Sequence, residues 1–140
     1  MAETNPAITP EAIRERIAGS FPDQLGVEPL EITDDRATGR VVVDERHLHP
    51  GGVAHGGAWV ALADSVAAWE TFRHLPPGHD FTTIEMKLNV FAAGRPGDEL
   101  IATARHLHGG RSTHVIEVRV RAGERLVAYL IVTQYVIAPG

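Results

Sequence analysis

"HPGGVAHGGAWVALADSVAAW", residues 49–69, decides how the rest of the chain is read. It opens with two histidines and four glycines between His49 and Gly57. It then turns apolar and carries a single carboxylate, Asp64, among Ala, Leu and Val. The pattern predicts a helix that starts near Gly56 or Gly57 and runs to about His74, where "LPPGHD" stops it. Trp59, Val60, Leu62, Val66, Trp69 and Phe72 fall all round that helix, and a helix apolar all round is one surrounded by protein. A lone acid in such a place is costly unless it is paired or used.

Strand patterns follow the helix. In "FTTIEMKLNVF", Ile84, Met86, Leu88 and Val90 alternate with Thr83, Glu85, Lys87 and Asn89. "ELIATARHL" and "STHVIEVRVR" come next, joined by "HGGR", and "RLVAYLIVTQYVI" closes the chain. Ahead of the helix, "LGVEPLEIT" and "ATGRVVVDE" read as a hairpin across "DDR". A short helix is expected over about residues 9–19, with Thr9 as its cap, Pro10 in its first turn and Gly19 at its end. Residues 1–8 are expected to be loose. The fold class is therefore α+β: a single domain over 1–140, with an antiparallel sheet wrapped around one long central helix. The last strand is apolar on both faces, which calls for cover outside the sheet and hence for an oligomer.

Composition narrows the function. At 140 residues the chain is long enough for a real core, and its 44% hydrophobic and 22% charged residues are those of a globular protein. A net charge of −5 argues against a nucleic-acid partner. The absence of cysteine removes disulfides, thiol chemistry and thiolate zinc sites. His47, His49 and His55 have a ligand-like spacing, but Pro50-Gly51-Gly52 reads as turn chemistry, so no metal is expected. No basic start leads into an apolar segment, and the longest apolar run, "LVAYLIV", is too short to span a bilayer. A cytoplasmic protein with no membrane partner is the expectation.

Four stretches resemble the hotdog-fold acyl-CoA thioesterases, particularly their phenylacetate-pathway, PaaI-like branch. They are "HGGAWVALADS" (55–65), "TIEMKLNVF" (83–91), "HGGRS" (108–112) and "RLVAYLIVTQYV" (125–136). The resemblance spans about residues 25–137. It implies hydrolysis of an acyl-CoA thioester with no cofactor beyond the coenzyme A of the substrate. It also implies a site shared across a homodimer, one chain's HGG turn facing the other chain's acid, within a dimer or a dimer of dimers.

The residues fit that chemistry. A helix N-terminus offers unpaired N–H groups and the positive end of the dipole. The Gly56 N–H, with Gly57 as a second candidate, can therefore polarise a thioester carbonyl. Asp64 lies a rise of roughly 12 Å from Gly56, too far to reach the same carbonyl within one chain. It would serve as general base or as nucleophile, with its pKa raised by desolvation. The resemblance assigns positioning roles to His55 and to Thr83, and contacts with coenzyme A to Asn89, Gly110, Arg111 and Ser112. Arg95, Arg105, Arg119 and Arg121 are further cations for the nucleotide. One position departs from the family: His49 stands where an Asn or Gln amide is usual. A histidine can donate to the carbonyl, and its protonated form is the stronger donor. Two other readings compete: a non-catalytic acyl-CoA binder, and a hotdog hydratase or dehydratase. Trp59, Trp69, Phe72 and Phe81 suggest aryl or medium-chain acyl groups.

Overall fold

The computed structural model describes residues 5–140. Two short helices come first, α1 (Pro10–Ile17) and α2 (Phe21–Gln24), then the hairpin β1 (Glu28–Ile32) and β2 (Ala37–Val42). The long helix α3 (Gly56–His74) follows, then β3 (Asp80–Val90), β4 (Glu99–Gly109), β5 (Thr113–Ala122) and β6 (Arg125–Ile137). All six strands join one antiparallel sheet in the order β1-β2-β4-β5-β6-β3. The sheet wraps α3, as the sequence predicts. Of residues 1–8, expected to be loose, 1–4 lie outside the described residues. The rest are held: the Asn5 N–H donates to the Arg73 carbonyl at 2.6 Å, and Ile8 packs on the core.

Punctuation sets the bounds of α3. His55 caps its start, with its Nδ1 accepting from the Gly57 N–H, and Leu75 ahead of two prolines ends it. Leu62, Val66 and Ala67 press into a sheet lined by Ile116, Val118, Val120, Leu130 and Val132, all fully buried. Truncating one of the larger side chains here would cost about 2–5 kcal/mol. The close approach of helix and sheet needs a glycine at 39, since a Cβ there would come within 2.7 Å of Val66 and Trp69.

The helix is not apolar all round in its surroundings. Val60, Asp64, Ala68 and Phe72, spaced four apart, form a half-buried stripe that the chain's own sheet leaves partly uncovered. Conversely, Glu70 and Arg73, which the apolar reading of the helix passed over, are buried. Arg73 grips Glu70 through two hydrogen bonds, Nη2 to Oε1 at 2.7 Å and Nε to Oε2 at 3.1 Å. It also donates to the Asp34 carbonyl at 2.9 Å, tying the end of α3 to the β1–β2 turn. Among the described residues the far edge strand, β3, pairs only with β6, so its outer edge meets no second strand, with Ile84, Val90 and Phe91 exposed beside it.

Candidate active site

The loop between β2 and α3 is a compact knot. Leu48 and Ala54 bridge, the Gly52 N–H closes onto the His49 carbonyl, and the His55 N–H donates to the His47 carbonyl at 2.7 Å. Gly52 has φ +83°, a conformation that favours glycine. Each of the three loop histidines accepts a backbone N–H at Nδ1: His47 from Asp44, His49 from Gly51 and His55 from Gly57, at 2.8 to 2.9 Å. Among the described residues no group of three His, Cys, Asp or Glu side chains is arranged to hold a metal ion.

That bonding sorts the two candidate donors at the head of α3. The Gly57 N–H is spent on His55, which removes it as a second carbonyl donor. The Gly56 N–H has no partner among the described residues, and the space beside its Cα is open. His49 is constrained too. With Nδ1 accepting from Gly51, the neutral ring carries its proton on Nε2, so it already has one N–H to offer. Protonating Nδ1 would set two N–H groups against each other, so the advantage expected for the protonated ring is offset by the turn it would break.

Asp64 is half-buried and makes no hydrogen bond or ion pair among the described residues, and burial pushes its carboxyl above the usual range. Ser65 does not cap it, because its Oγ donates to the Ala61 carbonyl at 2.6 Å. Asp64, Ser65, Ala68, Trp69 and Phe72 form one wall of a cavity of about 550 Å³. Of the aromatics suggested for an acyl pocket, Trp69 and Phe72 line this cavity, Phe81 packs against Phe72 at 4.8 Å, and Trp59 is buried core. Thr83 faces inward on β3, where its hydroxyl donates to Gln134 Oε1 at 2.6 Å rather than to Asp64.

The four residues suggested for coenzyme A do not meet within one chain. Ser112 accepts from the Val136 N–H, and Val136 pairs with Phe81 at one end of β3. Asn89 pairs with Tyr129 near the other end, eight residues and roughly 27 Å away. Gly110 and Arg111 line a second cavity, of about 290 Å³, together with His74, His79, His106 and His114. Arg105, Arg119 and Arg121 share a groove on the sheet's outer face with Glu117, and Arg95 sits in the β3–β4 turn.

A histidine cluster that the sequence does not single out lies beside this second cavity. His106 Nε2 and His114 Nδ1 share a hydrogen bond at 2.7 Å, and His106 stacks on His74 at 4.0 Å. His74 in turn meets Glu70 Oε1 at 3.0 Å. The E-x-x-R-H spacing at 70–74 was the available signal, since residues three and four apart share a helix face.

Comparison with known proteins agrees with this architecture. The family model of the thioesterase superfamily matches residues 51–129. A crystal structure of a mutant of thioesterase PA1618 from Pseudomonas aeruginosa superposes with a TM-score of 0.91 at 26% identity, over 96% of this chain and 98% of that one. A mutant of the phenylacetic acid degradation protein PaaI from Thermus thermophilus superposes with a TM-score of 0.76 at 28% identity, over 82% and 96% of the two chains. In sequence, the 1,4-dihydroxy-2-naphthoyl-CoA hydrolase of Listeria monocytogenes is 29% identical over 98 residues, 70% of this chain and 79% of its own. With the HGG turn at the head of a central helix and the sheet wrapped around it, this chain belongs to the thioesterase superfamily and has its hotdog fold.

Proposed function

We propose that this chain hydrolyses acyl-CoA thioesters to free acid and coenzyme A, at a site made by two copies of the chain. The observation that carries this reading is Asp64, an unpartnered carboxylate in the wall of a largely apolar cavity. The Gly56 N–H, also unpartnered, is the matching donor for a developing oxyanion. The relative from Listeria monocytogenes is named for acting on a CoA thioester.

Two copies reconcile the distances. The free edge of β3 can pair antiparallel with the same edge of a second copy. A two-fold across that edge sets the Asp80 end of one strand beside the Val90 end of the other. The Arg111–Ser112 turn of one copy then lies on the same side as Asn89 of the other. A Gly56 donor and a partner subunit's Asp64 can approach one carbonyl in such a pair, which the 12 Å rise along one helix forbids.

The chemistry follows. Asp64 takes a proton from a water as the water oxygen attacks the carbonyl carbon. The oxyanion is held by the Gly56 N–H, with the Nε2–H of His49 as second donor. The C–S bond then breaks, and the coenzyme A thiolate leaves and takes up the proton. The alternative, attack by the carboxylate itself, passes through a mixed anhydride that water then cleaves. A single turnover in ¹⁸O-labelled water separates the two: direct attack by water places one ¹⁸O in the first product acid, whereas an anhydride opened at the Asp64 carbonyl gives a first product without label and leaves the ¹⁸O on Asp64. The test of the function is release of coenzyme A thiol from aryl and medium-chain acyl-CoAs. Turnover by wild type that disappears in a folded Asp64→Asn protein supports it. Binding without turnover would make the chain an acyl-CoA binder, and hydration of crotonyl-CoA would make it a hydratase.

A further inference from the structure

The wall of the 550 Å³ cavity opposite α3 is supplied by the N-terminal segment, with Ile8, Ile13 and Ile17 as its apolar part. Three polar side chains interrupt that wall, Asn5, Arg16 and Ser20, of which Asn5 already accepts the Ala7 N–H at its Oδ1. The Arg16 guanidinium lies over the Phe72 ring, 4.5 Å from its centroid. No carboxylate lies within 4.0 Å of it among the described residues, whereas Arg14 on the same helix has Glu11 at that distance. The face of the guanidinium is therefore occupied by the ring while its N–H edges have no anionic partner. The Ser20 Oγ is buried and makes no hydrogen bond. A buried hydroxyl without a partner is a standing cost, and such groups repay attention as places where a ligand atom belongs.

Position adds direction. Phe72 follows Asp64 by eight residues on α3, so Arg16 stands roughly 12 Å along the helix from the carboxylate. The cavity thus has a reacting end at Asp64, an apolar middle, and a far end offering a cation and a hydroxyl. We propose that α1 and α2 form the acyl-selecting wall of the site, and that Arg16 and Ser20 select acyl groups that are apolar along their length and end in an oxygen acceptor, a terminal carboxylate ahead of a terminal hydroxyl. This rests on the acyl-CoA reading of the same site and names its substrate class. Selection arises because an acyl group ending in a methyl would leave the buried Ser20 hydroxyl unsatisfied, the situation in which enzymes discriminate most sharply, and would give the Arg16 guanidinium no partner beyond water. Arg16 is exposed to solvent, which moderates its share.

The experiment uses octanoyl-CoA, its ω-hydroxy counterpart and its ω-carboxy counterpart. Each is read twice, as kcat/KM for thiol release and as Kd of the non-hydrolysable thioether analogue. Wild type is expected to favour the ω-carboxy compound over octanoyl by about tenfold, with the ω-hydroxy compound between them. Arg16→Met, which keeps an apolar cover over Phe72, should bring the carboxy-to-methyl ratio close to one. Ser20→Ala should do the same to the hydroxy-to-methyl ratio. Equal handling of all three compounds by wild type overturns the proposal, as do ratios that survive both substitutions. If no thioester is cleaved by folded protein, the hydrolase reading fails by itself. The Kd ratios of the thioethers then still decide whether this wall selects a terminal oxygen.

Discussion

His55 Nδ1 accepts the Gly57 N–H at 2.8 Å, and this one contact leaves the preceding N–H, that of Gly56, as the free donor at the head of α3. The cap both secures the helix start and leaves one backbone position with a donor to offer. Gly56 is the first helical residue, where a proline is tolerated, and His55 already has the extended conformation (φ −63°, ψ 144°) that a following proline requires. Gly56→Pro should therefore fold with an unchanged Tm to within a few degrees, yet lose on the order of 10²–10³-fold in kcat, the scale of a missing oxyanion donor. Gly56→Ala, which keeps the N–H, separates loss of the donor from added bulk. A Gly56→Pro enzyme with wild-type kcat would show that the carbonyl is held elsewhere.

Asp64 carries two linked expectations. The proposed mechanism needs Asp64 ionised, and burial raises its pKa, so the acid limb of the pH–rate profile should lie above the ordinary carboxylate range of about 3.9 and activity should fall as pH drops through it. The raised pKa also means that the folded state binds this proton more tightly than the unfolded state does. The contribution to stability is present at low pH and is lost as pH rises through the folded value. Asp64→Asn should accordingly raise Tm at neutral pH while kcat falls by on the order of 10²-fold or more. Paired thermal melts and thiol-release assays read both effects, and a substitution that lowers Tm without affecting turnover would make Asp64 a structural acid.

The bounds of α3 were legible because glycine and proline punctuate the sequence locally, at Gly56-Gly57 and at Pro76-Pro77. The strands were legible because period-two alternation is local as well. The partners were not. Thr83 meets Gln134 across 51 positions and Arg73 meets the Asp34 carbonyl across 39, contacts that exist only once the sheet has closed around the helix. For the same reason, composition alone could not show that Asn89 and the Gly110–Ser112 turn lie by opposite ends of β3.

The histidine cluster should make stability depend on pH. Burial first, then the nearby rings of His74 and His114, push the His106 pKa down from 6.5 to about 4, and burial lowers that of His114 as well. The unfolded chain therefore takes up these protons at a higher pH than the folded chain does. The stability they contribute is complete above about 6.5 and is lost as pH falls toward 4. Thermal melts between pH 7 and pH 4.5 should show Tm declining by several degrees. His106→Gln should flatten part of that decline, and an equal slope in the variant would assign it to other groups.

The buried Glu70–Arg73 pair offers a sharper stability test. Glu70 is fully buried and Arg73 nearly so, and the pair also engages His74 and the β1–β2 turn. Removing one partner strands the other charge away from water, at a cost of about 3–5 kcal/mol. Arg73→Met should therefore lower the denaturation midpoint far more than Arg36→Met, whose partners Glu31 and Asp35 are exposed. Glu70→Gln with Arg73→Met should recover part of the loss, because the double change removes both charges. Equal midpoints for the Arg73 and Arg36 variants would show that water reaches the pair.

Assembly can be tested through the free edge of β3. Its eleven residues, Asp80–Val90, meet no second strand on their outer edge among the described residues, where the Phe81 N–H is taken by Asp80 Oδ1, and Ile84 is 58% exposed beside them. A strand of this length is a template for a second copy. Sedimentation at micromolar concentration should show at least a dimer. Val90→Pro removes an N–H that faces outward, since the next one, of Phe91, donates inward to the Val127 carbonyl, and it should shift the population toward monomer. If the site is shared as proposed, specific activity should fall with the dimer fraction and should recover at higher protein concentration. A proline also disturbs the β3–β6 ladder, so far-ultraviolet circular dichroism must first show the sheet intact. A folded, fully active monomer, of wild type or variant, would defeat the shared-site geometry and require Asp64 to find its carbonyl donor within its own chain.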